Sequence, residues 1–155
     1  MKVVAHDPYW PEEFAQEQGI QQMSLEDLLT AADIVTIHAP LTPENKGLIN
    51  AGPLKLMKPS ALLINAARGE IVSETDLYQA LKTGIIAGAG IDVFEKEPPT
   101  DSPLLELDNV VLSPHTAAFT HEALNNMSIG VVDQLIEFSQ GKTPIHTVNP
   151  EVFKE

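Results

Sequence analysis

Short apolar runs recur along this chain, each ending in polar residues and separated from the next by a stretch of helical character. Val3-Val4-Ala5 precedes His6-Asp7-Pro8, where proline biases its predecessor away from helix, so Asp7 falls at the carboxyl end of a strand. Ile34-Val35-Thr36-Ile37 follows, then Ala61-Leu62-Leu63-Ile64-Asn65, an almost unbroken apolar run of the kind buried on both faces of a parallel sheet. Ile86 to Val93 and Asn109-Val110-Val111-Leu112 complete the series. Between them, Ser24-Leu25-Glu26-Asp27 reads as an N-cap with acids in the first turn, and Leu54 to Met57 as a short helix. Ser73, followed by Asp76, caps a helix that carries Leu77, Ala80 and Leu81 on one face and stops near Gly84. Thr120 caps a long last helix with Leu124, Met127, Val131, Leu135 and Phe138 at helical spacing before Gly141. Strands alternating with helices imply right-handed crossovers and a mostly parallel sheet, an α/β fold. The proline-rich stretch Pro98 to Pro103 reads as a loop, because an apolar strand follows at once.

A chain of 155 residues, 43% of them hydrophobic, suits one compact domain. With 9 basic against 22 acidic residues the net charge is -13, which repels nucleic acid and anionic membrane surfaces, so an anionic ligand must be held by local groups. The absence of cysteine excludes disulfides, thiolate metal sites and a thiol nucleophile, and fits a reducing cytoplasm. No apolar run approaches the ~20 residues of a membrane span, and no signal-peptide core is visible. A soluble, cytoplasmic protein is expected. No metal site is expected either, since His38, His115, His121 and His146 lack compact ligand spacing and His6 beside Asp7 is a single pair.

Ligands of parallel α/β sheets gather at the carboxyl ends of the strands, and four polar positions fall there. Asp7 has two readings: a turn former before proline, or a carboxylate that accepts hydrogen bonds from both hydroxyls of an adenosine ribose and repels a 2′-phosphate. Arg68, in Asn65-Ala66-Ala67-Arg68-Gly69, is a natural carboxylate clamp beside two small residues, or a surface arginine pairing with one of many acids. Glu97 is either part of a solvated loop or the carboxylate partner of His115 in Ser113-Pro114-His115-Thr116. Such a partner fixes the tautomer of a histidine and favours its protonated form, leaving the second ring nitrogen to exchange a proton with substrate. Gly88-Ala89-Gly90-Ile91-Asp92-Val93 only begins like a G-x-G-x-x-G motif: it lies within a strand, ends in valine and opens no helix, so its glycines are expected to permit close backbone packing.

The runs Asn65 to Val72, Ala87 to Pro98 and Asn109 to Ala117, in that order, closely resemble the signatures of D-isomer-specific 2-hydroxyacid dehydrogenases, and His38-Ala39-Pro40-Leu41-Thr42-Pro43-Glu44 resembles another segment of that family. The resemblance implies an NAD-dependent oxidoreductase that interconverts a 2-keto acid and a D-2-hydroxy acid. It implies that Arg68 binds the substrate carboxylate and polarises the carbonyl, that Glu97 orients His115, and that His115 gives the proton. For the cofactor it implies Asp7 on the ribose, Asp92 on the nicotinamide carboxamide, the backbone of Ala66 and Ala67 along the ring, and His38, Ala39 and Pro40 beside the adenine end. The resemblance further implies that Arg68 and His115 also contact the cofactor.

The resemblance also implies an incomplete Rossmann-type parallel sheet with flanking helices. In the family a strand and its glycine-rich turn and helix precede the segment matched by Met1 to Asp7, and that first βα unit, central in a 3-2-1-4-5-6 order, is expected to lie before residue 1 of a longer polypeptide. The strands at Val3 and Ile34 are therefore expected not to sit beside those at Ala61, Ala87 and Asn109 unless something fills the central position. The implied organisation is a partial NAD-binding domain over residues 1–118, and a C-terminal helix and tail over 119–155 that returns toward a substrate domain. By itself such a chain is expected to bind NAD poorly and to be inactive. Two rivals share the motifs: a non-enzymatic NAD-sensing scaffold like the family's transcriptional corepressors, and an inert remnant that assembles with another chain. A homodimer is the expected assembly, with a small 2-keto or 2-hydroxy acid as ligand.

Overall fold

The computed structural model describes residues 1–153 and divides into two compact units, Met1–His115 and Thr116–Glu155. The first is α/β. Its strands β1 (Val4–Ala5), β2 (Gln21–Gln22), β3 (Ile34–Ile37), β4 (Leu62–Asn65), β5 (Gly88–Ile91) and β6 (Val110–Leu112) alternate with helices α1 (Glu12–Gln18), α2 (Leu25–Ala31), α3 (Ala51–Leu56) and α4 (Glu74–Lys82). The helix starts follow the local chemistry. Ser24 Oγ accepts from Asp27 N–H and Ser73 Oγ from Asp76 N–H, each satisfying a first-turn donor that has no partner inside its helix.

The sheet is split. β3, β4, β5 and β6 form a parallel four-stranded sheet in that order, while β1 and β2 form a separate parallel pair. The expectation that the Ile34 strand would stand apart with the Val3 strand is therefore corrected: β3 pairs in register with β4, Ile34 opposite Leu62 and Ile37 opposite Asn65. In a 3-2-1-4-5-6 order the fourth strand lies on the far side of the centre from the second, so its pairing with the fifth needs nothing from the central position. Only β1 and its neighbour β2 are separated, and β3 has a strand neighbour on one side.

Register partners Val35, Leu63 and Ala89 form a buried row across β3, β4 and β5. Leu29 of α2, Leu54 of α3, and Leu77 and Leu81 of α4 join it in one apolar core with Ile86, Ile91 and Leu104. Each leucine so buried contributes ~1.5–3 kcal/mol relative to exposure. The opposite face departs from expectation. Leu62 and Ile64 are 41% and 37% exposed, so β4 is buried on one face only within this unit, and Ile34 and Val111 are exposed too. The glycines of β5 also differ from each other: a Cβ on Gly88 would meet the Asn109 carbonyl at 3.0 Å, whereas on Gly90 it would find only Ile64 at 3.8 Å.

The second unit is built on helix α5 (His121–Ser139), whose cap Thr120 accepts from Ala123 N–H. Its apolar side chains at Leu124, Met127, Val131, Leu135 and Phe138 are exposed, and Phe138 meets Phe153 edge-on at 6.1 Å between ring centres. Among the described residues, no helix is long and apolar enough to cross a membrane.

Candidate active site

Hydrogen bonds that continue past the strands stitch the carboxyl ends of β4, β5 and β6 together. Asp92 N–H donates to the Asn65 carbonyl (3.0 Å), Ser113 N–H to the Ile91 carbonyl (3.0 Å) and His115 N–H to the Asp92 carbonyl (2.8 Å). The chain turns sharply beyond β6, with His115 at φ 54°, a left-handed conformation costing ~1–2 kcal/mol in a residue with a Cβ. Histidine is among the few side chains enriched there. The Asp92 carbonyl holds that conformation from below, and the buried Asp92 carboxylate accepts the Ser113 hydroxyl at 2.5 Å.

The turn presents the His115 ring to Glu97. Nδ1 lies 2.9 Å from Oε2, and the two side chains are 50% and 39% exposed. Glu97 Oε1 accepts from Phe94 N–H at 3.1 Å, so both carboxylate oxygens are committed. The His115 hydrogen bond, supported by the Phe94 N–H, holds the Glu97 carboxyl below its ordinary value, against smaller opposing effects of burial and of the Asp92 charge. An ionised carboxylate only accepts, so the proton between them belongs to Nδ1 and Nε2 is the nitrogen left to face a ligand.

Arg68 stands at the end of β4 in a turn closed by Asn65, which is 1% exposed. Asn65 Nδ2 donates to the Arg68 carbonyl (3.0 Å) and Oδ1 accepts from Ala67 N–H (3.1 Å). Ala66 and the Arg68 side chain are exposed, and Arg68 Nη1 donates to the Ala67 carbonyl at 2.7 Å. Gly69 brings this turn against the loop that carries Glu97: a Cβ built on it would lie 2.0 Å from the Phe94 carbonyl carbon and 2.6 Å from Glu95 N. Any side chain there would hold the two segments apart.

The structure thus brings Glu97, His115 and Asp92 together and sets the Arg68 turn against their loop. Asp7 and His38 make their hydrogen bonds within their own segments. Exposed Asp7, after β1, takes the turn-forming geometry, its Oδ1 accepting from Tyr9 N–H at 2.7 Å. His38 Nε2 lies 3.0 Å from Thr36 Oγ1 after β3, and Ala39 and Pro40 beside it are exposed. Small, exposed Ala66, Ala39 and Pro40 suit the approach of flat rings, and the Asp7 carboxylate suits ribose hydroxyls, so these residues fit the two ends of a nicotinamide dinucleotide. Among the described residues no group of three or more His, Asp or Glu is arranged to hold a metal ion. Three contributors had no role in the sequence reading: Asn65, Gly69 and Ser113. Each lies inside a motif run with Arg68 or His115, the one signal that could have singled it out.

The family profile described as D-isomer specific 2-hydroxyacid dehydrogenase, NAD binding domain, matches residues 1–117. A glyoxylate reductase of Korarchaeum cryptofilum is 46% identical over 155 residues, which are 99% of this chain and 47% of that protein. A D-3-phosphoglycerate dehydrogenase of Archaeoglobus fulgidus is 43% identical over 150 residues, 96% of this chain and 28% of that protein. The crystal structure of D-lactate dehydrogenase with NAD+ from Lactobacillus jensenii superposes with a TM-score of 0.86 at 31% identity, covering 95% of this chain and 48% of that one. The chain therefore spans about half the length of these relatives, or less. With three-quarters of its residues matched by the profile and its fold shared with the solved structures, it belongs to the D-isomer specific 2-hydroxyacid dehydrogenase family, as part of the NAD-binding domain of that family.

Proposed function

We propose that the protein interconverts a small 2-keto acid and the corresponding D-2-hydroxy acid, using NAD. The observation that carries the proposal is the 2.9 Å pairing of His115 Nδ1 with Glu97 Oε2 at the carboxyl edge of a parallel sheet. Bound NADH would supply the hydride to the keto carbon, and bound NAD+ would accept it in the reverse direction. Arg68 would hold the substrate carboxylate through two parallel charge-assisted hydrogen bonds and polarise the adjacent carbonyl. His115, with Nδ1 tied to Glu97, would give the Nε2 proton to the carbonyl oxygen as negative charge grows there, and recover it on oxidation. Glu97, kept ionised, would orient the ring.

Cofactor binding is assigned on the same reading. Asp7 would accept from the adenosine ribose hydroxyls, and His38, Ala39 and Pro40 would lie beside the adenine end. The backbone of Ala66 and Ala67 would line the nicotinamide ring, bordered by Arg68 and His115, and Asp92 would face its carboxamide. Residues 119–155 would return toward a substrate domain. The exposed apolar face at Ile34, Leu62, Ile64 and Val111 supports association into a homodimer. A cytoplasmic location belongs to the same reading.

The test is a chimera in which this chain replaces its matching part of the Korarchaeum glyoxylate reductase. Arg68→Ala should raise KM for the keto acid and lower kcat/KM by ~10- to 10²-fold, the loss of a hydrogen bond to a charged group. An Arg68→Ala chimera with unchanged KM and kcat/KM would remove the clamp from the mechanism.

A further inference from the structure

Glu97 lies inside a loop that a single side chain fastens at both ends. Glu74, the first residue of α4, accepts from Glu95 N–H through Oε1 (2.6 Å) and from the Ser102 hydroxyl through Oε2 (2.6 Å). Glu95 answers in kind, its Oε1 accepting from Glu74 N–H at 2.9 Å. That N–H is one of the donors a helix start leaves without a partner, so the exchange completes both backbones at once. One carboxylate therefore sets where the loop leaves at residue 95 and where it returns at residue 102, with Glu97 between. The ion pair within the loop, Lys96 with Asp101 at 3.3 Å, joins side chains 77% and 81% exposed and adds little, because exposed pairs are screened and entropically costly.

We propose that Glu74, together with Ser102, is a positioning residue for the His115–Glu97 pair, holding the loop so that Glu97 Oε2 meets His115 Nδ1. Its catalytic meaning rests on the proposed function; the geometry does not. A shift of about 1 Å in a positioned group is enough to disable it, which is why loops bearing such groups are held by supporting hydrogen bonds.

The test follows the Glu97 carboxyl carbon by NMR as a function of pH in the chain itself. His115 and Asp92 are the charged groups that act on Glu97. His115→Ala sets the reference, an upward shift of the Glu97 midpoint as the hydrogen bond is lost. Glu74→Ala and Ser102→Ala should each shift it upward by at least half of that reference. Removing the Glu74 charge alone would act in the opposite direction, since a lost like charge favours ionised Glu97. Glu74→Gln should bring the midpoint back to the unsubstituted value or slightly below it, its carbonyl accepting from Glu95 N–H and its amide donating to Ser102 Oγ. Ser102→Ala carries the test if Glu74→Ala does not fold. A Glu97 midpoint that stays in place or falls in both alanine variants, with only thermal stability reduced, overturns the positioning role. If His115→Ala itself leaves Glu97 unmoved, there is no pair to position and both the proposal and the proton-transfer reading fall. An intact titration pattern in the chain beside a folded chimera that does not turn over defeats the proposed function alone.

Discussion

Gly69→Ala is the substitution with the most sharply defined consequence. The added methyl would sit 2.0 Å from the Phe94 carbonyl carbon, 2.1 Å from its oxygen and 2.6 Å from Glu95 N, all of them backbone atoms. Carbon atoms in contact rest ~3.5–4.0 Å apart, so the Arg68 turn and the Glu97 loop must separate by ~1.5 Å. Neither side yields readily. Phe94 follows strand β5, whose end is tied to Asn65 through Asp92 N–H, and Glu95 is bonded to Glu74. Overpacking of this kind costs ~1–3 kcal/mol, and in a chain of this size each kcal/mol lowers Tm by ~2–4 °C. The same displacement carries Arg68 away from the His115–Glu97 pair, and a misplacement near 1 Å costs ~10²-fold in turnover. Thermal unfolding followed by circular dichroism, with turnover in the chimera, reads both effects. A Gly69→Ala protein with unaltered Tm and unaltered kcat would refute the contact and the argument built on it.

Further outcomes follow from the same geometry. His115→Ala in the chimera should lower kcat by ~10² or more, the usual contribution of a positioned acid and base, and steady-state kinetics will show it. Cofactor preference should favour NADH over NADPH by ~10-fold or more, because on the proposed reading Asp7 would face the 2′-phosphate and like charges ~4 Å apart near a surface repel by ~4 kcal/mol; Asp7→Ala should narrow the gap in kcat/KM. Glu97 is held below its ordinary value near 4.5, so its ionised form contributes stability that is fully present above that value and lost as pH falls through the lowered folded value. The unfolding midpoints of the unsubstituted chain and Glu97→Gln should therefore differ at neutral pH and converge on the acid side, measured by urea unfolding across pH.

Much of this arrangement is legible in the chain because it is local. Ser24, Ser73 and Thr120 cap their helices because a short polar side chain can reach the second or third N–H along, and that is a matter of neighbouring residues. The strands at Ile34, Leu62, Gly88 and Val110 announce themselves by apolar composition between polar turns. Gln21–Gln22 does not: two exposed glutamines have no strand signature, and they become β2 only because β1 offers a ladder to pair with. The exposed face of β4 was equally hidden, since an apolar run states what a strand can bury and not what is present to cover it. Arg68, Glu97 and His115 stand out through their motif runs. The contact of Gly69 with Phe94, and the exchange between Glu74 and Glu95 across 21 positions, are products of tertiary folding that no spacing rule reveals.

The central claim is that this chain supplies the proton-transfer pair of an NAD-dependent D-2-hydroxyacid dehydrogenase. It is tested most directly by incubating the Korarchaeum chimera with NADH and a panel of 2-keto acids, then resolving the product by chiral chromatography beside the His115→Ala chimera. The account predicts NADH-dependent formation of the D-2-hydroxy acid, reduced ~10²-fold or more in the variant. A folded chimera that binds NADH yet forms the L product, or turns over equally well without His115, would contradict it.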